Sequence, residues 1–424
     1  MSRLRRALTH DVVRAGVQSY AFSTLTLAAN LVAGVVTARA LGPEGRGEAV
    51  AIAMLAVNLG LIFAFGCAHA ASYRYARDAS SGGRLLTAWA ALLLGLGALA
   101  IATGQLAIPV LFDAQSEEAV TLGRLYLATI LLVLANELTR GLLLGAGEYL
   151  FVSAARFAQP ALVAVTQLVL WALDAMSVES VLITAAASTL LVQVVAFARV
   201  RHVTGGFGPF DRALARETYA YGFRGQGIVL GGTLNQRLDL LILPAFVVAA
   251  DIGLYSIAAN VSLIVYAVAN SFSSLLLPAA VRSGERGPAT VVRSLHAVGA
   301  IALGAALVLF VLARPALEVV YGDAFGDAAS TLRLLLPGAV LLAAASILNA
   351  GLYAAGRPGA ATSTQVTGLL VTVVGLLVFV PDGGITAAAL VSSVAYATVF
   401  TVALVRYRRA LGAPWSAFLH PSRL

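Results

Sequence analysis

Eight arginines of this chain lie inside long apolar stretches: Arg39, Arg124, Arg140, Arg156, Arg224, Arg237, Arg314 and Arg333. An arginine at the centre of a bilayer costs at least about 2.5–3.5 kcal/mol on insertion scales. Each must therefore line a watery cavity, pair with a partner, or reach an interface. The planar guanidinium fork suits anions, phosphate above all. The clear acids in such stretches are Glu137 and Asp239. Basic groups outnumber them, and nearby amides and hydroxyls are suited to hydrogen-bonding a sugar.

Spacing sorts these residues onto helical faces. In the seventh apolar stretch Arg224, Gly231, Asn235 and Asp239 share one stripe, while Gln226, Thr233 and Arg237 share another. A helix polar on two sides suits the lining of an internal cavity. Glu137 and Arg140, three residues apart, are placed to pair and lower each other's insertion cost. Arg156, Gln159 and Gln167 lie near one face of the fifth stretch, with Pro160 as a kink point. The first stretch carries Ser23, Thr26, Asn30 and Thr37 on one stripe and no acid. Asn58 and His69 share a face of the second, where a packing role for the histidine is the commoner outcome.

The elements that position these side chains are membrane spans. Of 424 residues 60% are hydrophobic and only 11% charged, and mean hydropathy is +0.89. A soluble domain carries roughly 25% charged residues. Apolar windows near 16–40, 49–72, 85–112, 122–146, 150–173, 179–198, 219–248, 252–280, 294–320, 330–354, 360–380 and 385–405 predict an all-α protein of twelve spans. Every basic residue is arginine. Arginines crowd the termini and alternate loops, at Arg74, Arg77 and Arg84, Arg199 to Arg216, Arg282 to Arg293, and Arg357. Arg46 is the exception, falling in an opposite loop. The positive-inside rule then predicts both termini in the cytoplasm, and it accounts for the net charge of +8 without nucleic acid. The first apolar stretch reads as a retained span.

The chain repeats itself. At an offset of 206, Arg6-Ala7-Leu8 matches Arg212-Ala213-Leu214 and Gly47 matches Gly253. At 209, Arg124 matches Arg333, Ala146-Gly147 matches Ala355-Gly356, and Arg156 falls on Gln365. Six spans per half make this a parallel repeat, an arrangement that places a substrate between halves. The expected lobes are residues 1–204 and 219–424. Residues 205–218 join them as a cytoplasmic linker and amphipathic lead-in resembling Arg3–Val13. The single Cys67 excludes an intrachain disulfide and a cysteine-based metal site. With no metal-ligand cluster, Walker loop or nucleophile elbow, no enzyme and no bound cofactor is expected.

Ala38-Arg39-Ala40-Leu41-Gly42-Pro43-Glu44-Gly45-Arg46-Gly47 resembles the A-R-x-L-G-P-x-x-x-G signature of polysaccharide flippases. These belong to the multidrug/oligosaccharidyl-lipid/polysaccharide exporter superfamily. Arg237-Leu238-Asp239 followed by Gly253-Leu254-Tyr255-Ser256 resembles the family's D…G-x-Y-x-x-A pattern, and Gly351 to Arg357 its tenth-span ending. The resemblance covers essentially the whole chain. It implies two six-helix lobes that open alternately inward and outward in a bacterial plasma membrane. It also implies a substrate built from a polyprenyl diphosphate and an oligosaccharide, H⁺ or Na⁺ coupling, and polymerase or glycosyltransferase partners, with a monomer as the working unit. On that reading Arg224, Arg237, Arg140 and Arg156 form the headgroup path, with Glu137 and Asp239 beside them. Asn30, Asn235 and Gln365 contact sugar, and Arg124 and Arg333 flank the external mouth or anchor it.

Two other functions compete. A cation-coupled drug antiporter of the same superfamily would often place an acid in the first span, which has none. A membrane glycan polymerase or ligase would need a large external loop, and no loop here is long enough.

Overall fold

The computed structural model describes the backbone of residues 2–282, 287–412 and 415–419, and the side chains of 21–224, 234–267, 288–412, 415, 416 and 418. The amphipathic face of Arg3–Val13 and the side chains of Gln226 and Thr233 lie outside these residues. The helices are α1 (Ser2–Phe63), α2 (Cys67–Arg77), α3 (Gly82–Leu111), α4 (Glu117–Tyr126), α5 (Ile130–Gly145), α6 (Tyr149–Ala172) and α7 (Val178–Thr204). There follow α8 (Arg212–Leu234), α9 (Asp239–Ile242), α10 (Ala249–Arg282), α11 (Gly287–Tyr321), α12 (Ala328–Ala354), α13 (Pro358–Leu411) and α14 (Ser416–Leu419). The protein is all-α and crosses the membrane many times: nine segments among the described residues are long and apolar enough to span it.

Two of those segments hold two expected spans each, because the backbone breaks at a glycine. Gly42 in α1 has φ 66° and Gly384 in α13 has φ 54°, a region that glycine enters without a Cβ penalty. Arg46 shows how sharply α1 turns. Its Nη1 donates to the Gly34 carbonyl at 3.1 Å, whereas in a straight helix twelve residues would separate them by about 18 Å. Arg46 is 7% exposed. Its expected place in an outer loop is thus corrected: a one-residue break leaves no loop there, and the guanidinium folds back onto the preceding arm.

Two expected spans are interrupted by turns, and the fourth, 122–146, passes through a 3₁₀ turn at Leu127–Thr129 between α4 and α5. The second is helical to Phe63, turns through Phe65 (φ 47°) and Gly66 (φ 67°), and resumes as α2. The seventh is α8, a turn at 235–238, then α9 and a short 3₁₀ turn, Leu243–Ala245. These breaks rotate the residues beyond them, so a single helical wheel does not carry across either.

The half-repeat appears in the backbone itself. After α5, Ala146, Gly147 and Glu148 donate to the carbonyls of Leu142, Leu144 and Leu143. After α12, Ala355, Gly356 and Arg357 donate to those of Gly351, Tyr353 and Leu352. All three bonds recur at the offset of 209. Both glycines are left-handed (φ 81° and 70°), and the six-to-one bond from the residue after each closes a Schellman turn.

Close contacts divide the chain into two compact units: Met1–Val110 with Ser116–Val229, and Leu111–Gln115 with Leu230–Leu424. In the first unit helices cross at glycines that admit a neighbour. A Cβ on Gly141 would stand 2.6 Å from the Ala68 carbonyl oxygen, and one on Gly104 2.8 Å from Leu127. Polar bonds add to this packing. Thr37 donates to Gln167 at 3.0 Å across α1 and α6, and Gln193 to Thr139 at 3.2 Å across α7 and α5. Each such bond is worth about 0.6 kcal/mol on average in a membrane protein.

Residues 205–211 pack onto this first unit. Gly208 donates to the Gly83 carbonyl at 3.0 Å, and Arg84 pairs with Asp211 at 3.0 Å. The start of α8 follows, with Tyr221 stacked on Tyr73 (4.6 Å), Phe223 on Phe65 (5.7 Å) and Tyr219 edge-on to the buried Trp89. In the second unit α12 packs against α10 and α13, with Gly338 against Ser393 and Gly351 against Tyr407. Its segment 111–115 is held by Gln115, whose Nε2 donates to the carbonyls of Pro244 (2.9 Å) and Val247 (2.8 Å).

Candidate functional site

In the first unit the sequence-selected pair is formed: Arg140 Nη2 donates to Glu137 Oε2 at 2.6 Å. The carboxylate is nearly enclosed, with 12% of its side chain exposed, and the guanidinium is partly open at 34%. The pair lies on α5 beside α2 and the broken turn at 64–66. His69, on α2, is exposed. It does not share a face with Asn58, which is buried in α1 and donates to the Met54 carbonyl at 2.8 Å. The break at 64–66 overturns the common face.

Arg224 is exposed on α8, next to the Phe223–Phe65 stack. Arg156 and Asn30 are exposed on α6 and α1. Asn30 donates to the Thr26 carbonyl of its own helix at 2.9 Å, and Arg156 neighbours Phe157, which packs on Phe22. Arg124 is exposed on α4, and its carbonyl accepts from Gln105. Among the described residues no ion pair forms on Arg124, Arg156 or Arg224.

The second unit treats its polar residues differently. Asp239 is 4% exposed and accepts from the Tyr255 hydroxyl at 2.5 Å and the Leu240 amide at 2.8 Å. Tyr255 also meets Ser392 at 3.2 Å. Asn235 is buried, accepts from Thr372 at 3.2 Å and donates to Gln365 at 3.5 Å. Asn349, the repeat mate of Arg140, accepts from Thr364 at 3.0 Å. These groups form three separate interior links onto α13, one from α9 through α10, one from the turn after α8 and one from α12. The stripe that joined Arg224 to Asn235 and Asp239 is corrected at its far end: the helix breaks at 235–238, which takes Asp239 off the wheel, and Arg224 is exposed while the other two are enclosed. Arg237 is half-buried in that broken turn.

The remaining arginines are occupied. Arg314 Nε donates to Glu318 at 2.7 Å. Arg333 Nε donates to the Phe310 carbonyl at 3.1 Å, with its guanidinium 5.6 Å from that ring's centre. The network around Tyr255 has a partial signal in the sequence, since that tyrosine belongs to the quoted G-x-Y motif. The proximity of His69 to Glu137 and Arg140 has none, because it depends on how α2 lies against α5.

At the end of the first unit that carries Arg199 and His202 there is a cavity of about 380 Å³ lined by Tyr75, Glu148, Arg199 and His202. Arg199 is held there by Glu148 at 2.6 Å. Among the described residues no group of three His, Cys, Asp or Glu is arranged to hold a metal.

Comparison with known proteins places this architecture. The lipid II flippase MurJ in an inward-closed conformation aligns with a TM-score of 0.78 at 14% identity, covering 96% of this chain and 90% of that one. An inward-facing multidrug resistance MATE family transporter of the MOP superfamily aligns with a TM-score of 0.72 at 18% identity, covering 92% and 96%. A MATE protein in the bent conformation gives 0.55 at 18%, covering 97% and 96%. At these identities the likeness is one of fold. Among curated protein sequences none matches. The profile of the polysaccharide biosynthesis protein family matches residues 36–330. That stretch runs from the first span into the tenth, so this multi-span membrane protein, with a fold shared by MurJ and MATE transporters, belongs to the polysaccharide biosynthesis protein family.

Proposed function

We propose that the protein is a flippase that carries a polyprenyl-diphosphate-linked oligosaccharide from the cytoplasmic to the outer leaflet of a bacterial plasma membrane by alternating access. Membership of a polysaccharide biosynthesis family, on a fold shared with a lipid II flippase, carries this reading. The exposed Arg224 and Arg156 and the partly open Arg140 support it, because a diphosphate needs cations that are not fully neutralised. The enclosed Asn235 and Asp239 serve instead to hold the second unit together. The two lobes are the bodies that move. The arginine-rich loops face the cytoplasm, where the glycosyltransferases that build the substrate act, and a polymerase takes the product outside. A monomer suffices, surrounded by membrane lipid. H⁺ or Na⁺ supplies the driving force.

The test is reconstitution in vesicles with a fluorescent lipid-linked oligosaccharide and a membrane-impermeant quencher. Wild-type protein is expected to move label between leaflets, and R224A to slow that movement at least about tenfold, the loss typical of one charge-assisted contact. Absence of lipid movement together with transport of an organic cation would replace this reading with the drug-antiporter one.

A further inference from the structure

Helices α2 and α5 run side by side in the same chain direction. Gly141 abuts Ala68, and four residues later on both helices Gly145 abuts Ser72. Cβ atoms on the two glycines would stand 2.6 Å and 2.8 Å from the Ala68 and Ser72 carbonyl oxygens. Backbone contact of this kind fixes the rotation of both helices, and with it the direction of every neighbouring side chain. His69 lies about 100° beyond the contact residue on α2, and Arg140 about 100° before the contact residue on α5. In a parallel pair those two directions coincide, so both side chains leave the same flank of the crossing. Glu137, one turn before Gly141, falls into the groove between them. Along the helix axes the three residues span roughly 8 Å. The charges of Arg140 and Glu137 both act on His69.

Other ionisable groups around α2 are turned elsewhere or already engaged. Arg74 pairs with Glu217 of α8, and Arg77 lies over the Tyr73 ring. Arg224 is two residues past Gly222, which abuts α2, and so about 200° round on the far side of α8. Near Tyr75, at the far end of α2, Arg199 of α7 holds Glu148 beside His202. Cys67 is buried. The flank thus presents one histidine, one arginine and one carboxylate, the last enclosed and the first two open.

We propose that His69 and Arg140 form a binding site for a phosphate or diphosphate group, with Glu137 as the built-in counter-ion that occupies Arg140 while the site is empty. With His69 neutral, Glu137 cancels Arg140 and an anion gains nothing by displacing it. A proton taken from water makes His69 a second cation. Glu137 then has an alternative partner, and the N–H edge of the guanidinium that it held is released to the anion. Binding is therefore coupled to protonation through a single shared carboxylate. The choice of a diphosphate as ligand rests on the flippase reading; the exchange of partners does not.

The experiment is a binding titration on the full-length protein in lipid nanodiscs. The probes are inorganic pyrophosphate and, separately, undecaprenyl diphosphate doped into the discs. Wild-type affinity is expected to rise about tenfold as pH falls from about 8 to about 5, a window that covers the ordinary histidine range and extends below it. H69Q should give a flat curve at the weak level. E137Q should bind at the higher pH about tenfold more tightly than wild type, and R140Q should lose binding throughout. Binding of pyrophosphate alone marks a site for soluble phosphate, whereas binding only of the lipid-linked form marks a headgroup site. A wild-type pH profile in H69Q, or weaker binding in E137Q, overturns the proposal. Protection of the Cys67 thiol from maleimide confirms that each variant is folded, and H69N replaces H69Q if that variant is not. Since no transport is measured, a failed titration leaves the flippase reading intact, and failed lipid movement with an intact titration does the reverse.

Discussion

At membrane depth a guanidinium needs a partner or water, and this chain uses several solutions. Arg46 folds back onto a backbone carbonyl, Arg314 takes a carboxylate one turn on, and Arg333 combines a carbonyl with an aromatic face. Arg140 leans on Glu137, whose own burial makes the dependence mutual. R140Q is expected to leave that carboxylate enclosed without its counter-ion and to destabilise the first unit by about 1–3 kcal/mol, discounted because Arg140 is partly open. The double variant E137Q/R140Q should recover most of the loss. The buried Cys67, the chain's only thiol, reports both outcomes through the temperature at which it becomes accessible to maleimide. In the second unit, Y255F removes the hydroxyl that satisfies the enclosed Asp239. A cost of about 1–3 kcal/mol is expected, read as faster amide exchange over 239–256.

Among the elements, breaks matter as much as helices. Gly147 and Gly356 close the same Schellman turn in the two halves, with left-handed backbone that an alanine would strain. G147A and G356A should each cost about 1 kcal/mol, and by similar amounts, measured as loss of thermal stability in the same detergent. The segment before α8 depends instead on charge. Asp211 caps α8, and its carboxyl is held below the usual range first by the Leu214 amide and then with help from Arg84. A depressed folded value contributes stability above the unfolded pKa, lost as pH falls through the folded one. Amide protection over 205–214, corrected for the intrinsic exchange rate, should therefore fall as pH drops below about 4, and D211N should show the same loss at neutral pH.

On the scale of the whole molecule, two halves of one repeat have come to hold polar groups differently. Both units enclose hydrogen-bonded amides, but Glu137 of the first leans on a partly open arginine whereas Asp239 of the second is enclosed on a tyrosine hydroxyl. Arg156 and Arg224 are exposed whereas Asp239 is enclosed, so removing either arginine's charge should impair lipid movement with less loss of stability than removing that of Asp239. R156A is expected to slow leaflet exchange severalfold with little shift in unfolding temperature. D239N is expected to lower that temperature first. Paired flipping and thermal measurements on the two variants check the ordering, and equal stability losses would contradict it.

Composition and window hydropathy alone determined an all-α membrane protein, because a bilayer allows few ways to satisfy twelve apolar stretches of backbone. The repeat was legible in glycines and arginines at matching registers, since the Schellman turn requires glycine at that point and tolerates little else. The Glu137–Arg140 pair was legible too, because its partners sit one turn apart on one helix. Tertiary structure decided what crosses a break or joins two elements. The turns at 64–66 and 235–238 reset helical phase, so wheels drawn through them put His69 with Asn58 and Arg224 with Asp239. Only the contact of Gly141 on Ala68 brings His69 beside a carboxylate on another helix. Helical periodicity is local and readable along the chain, whereas the rotation of one helix against another is set where their backbones touch.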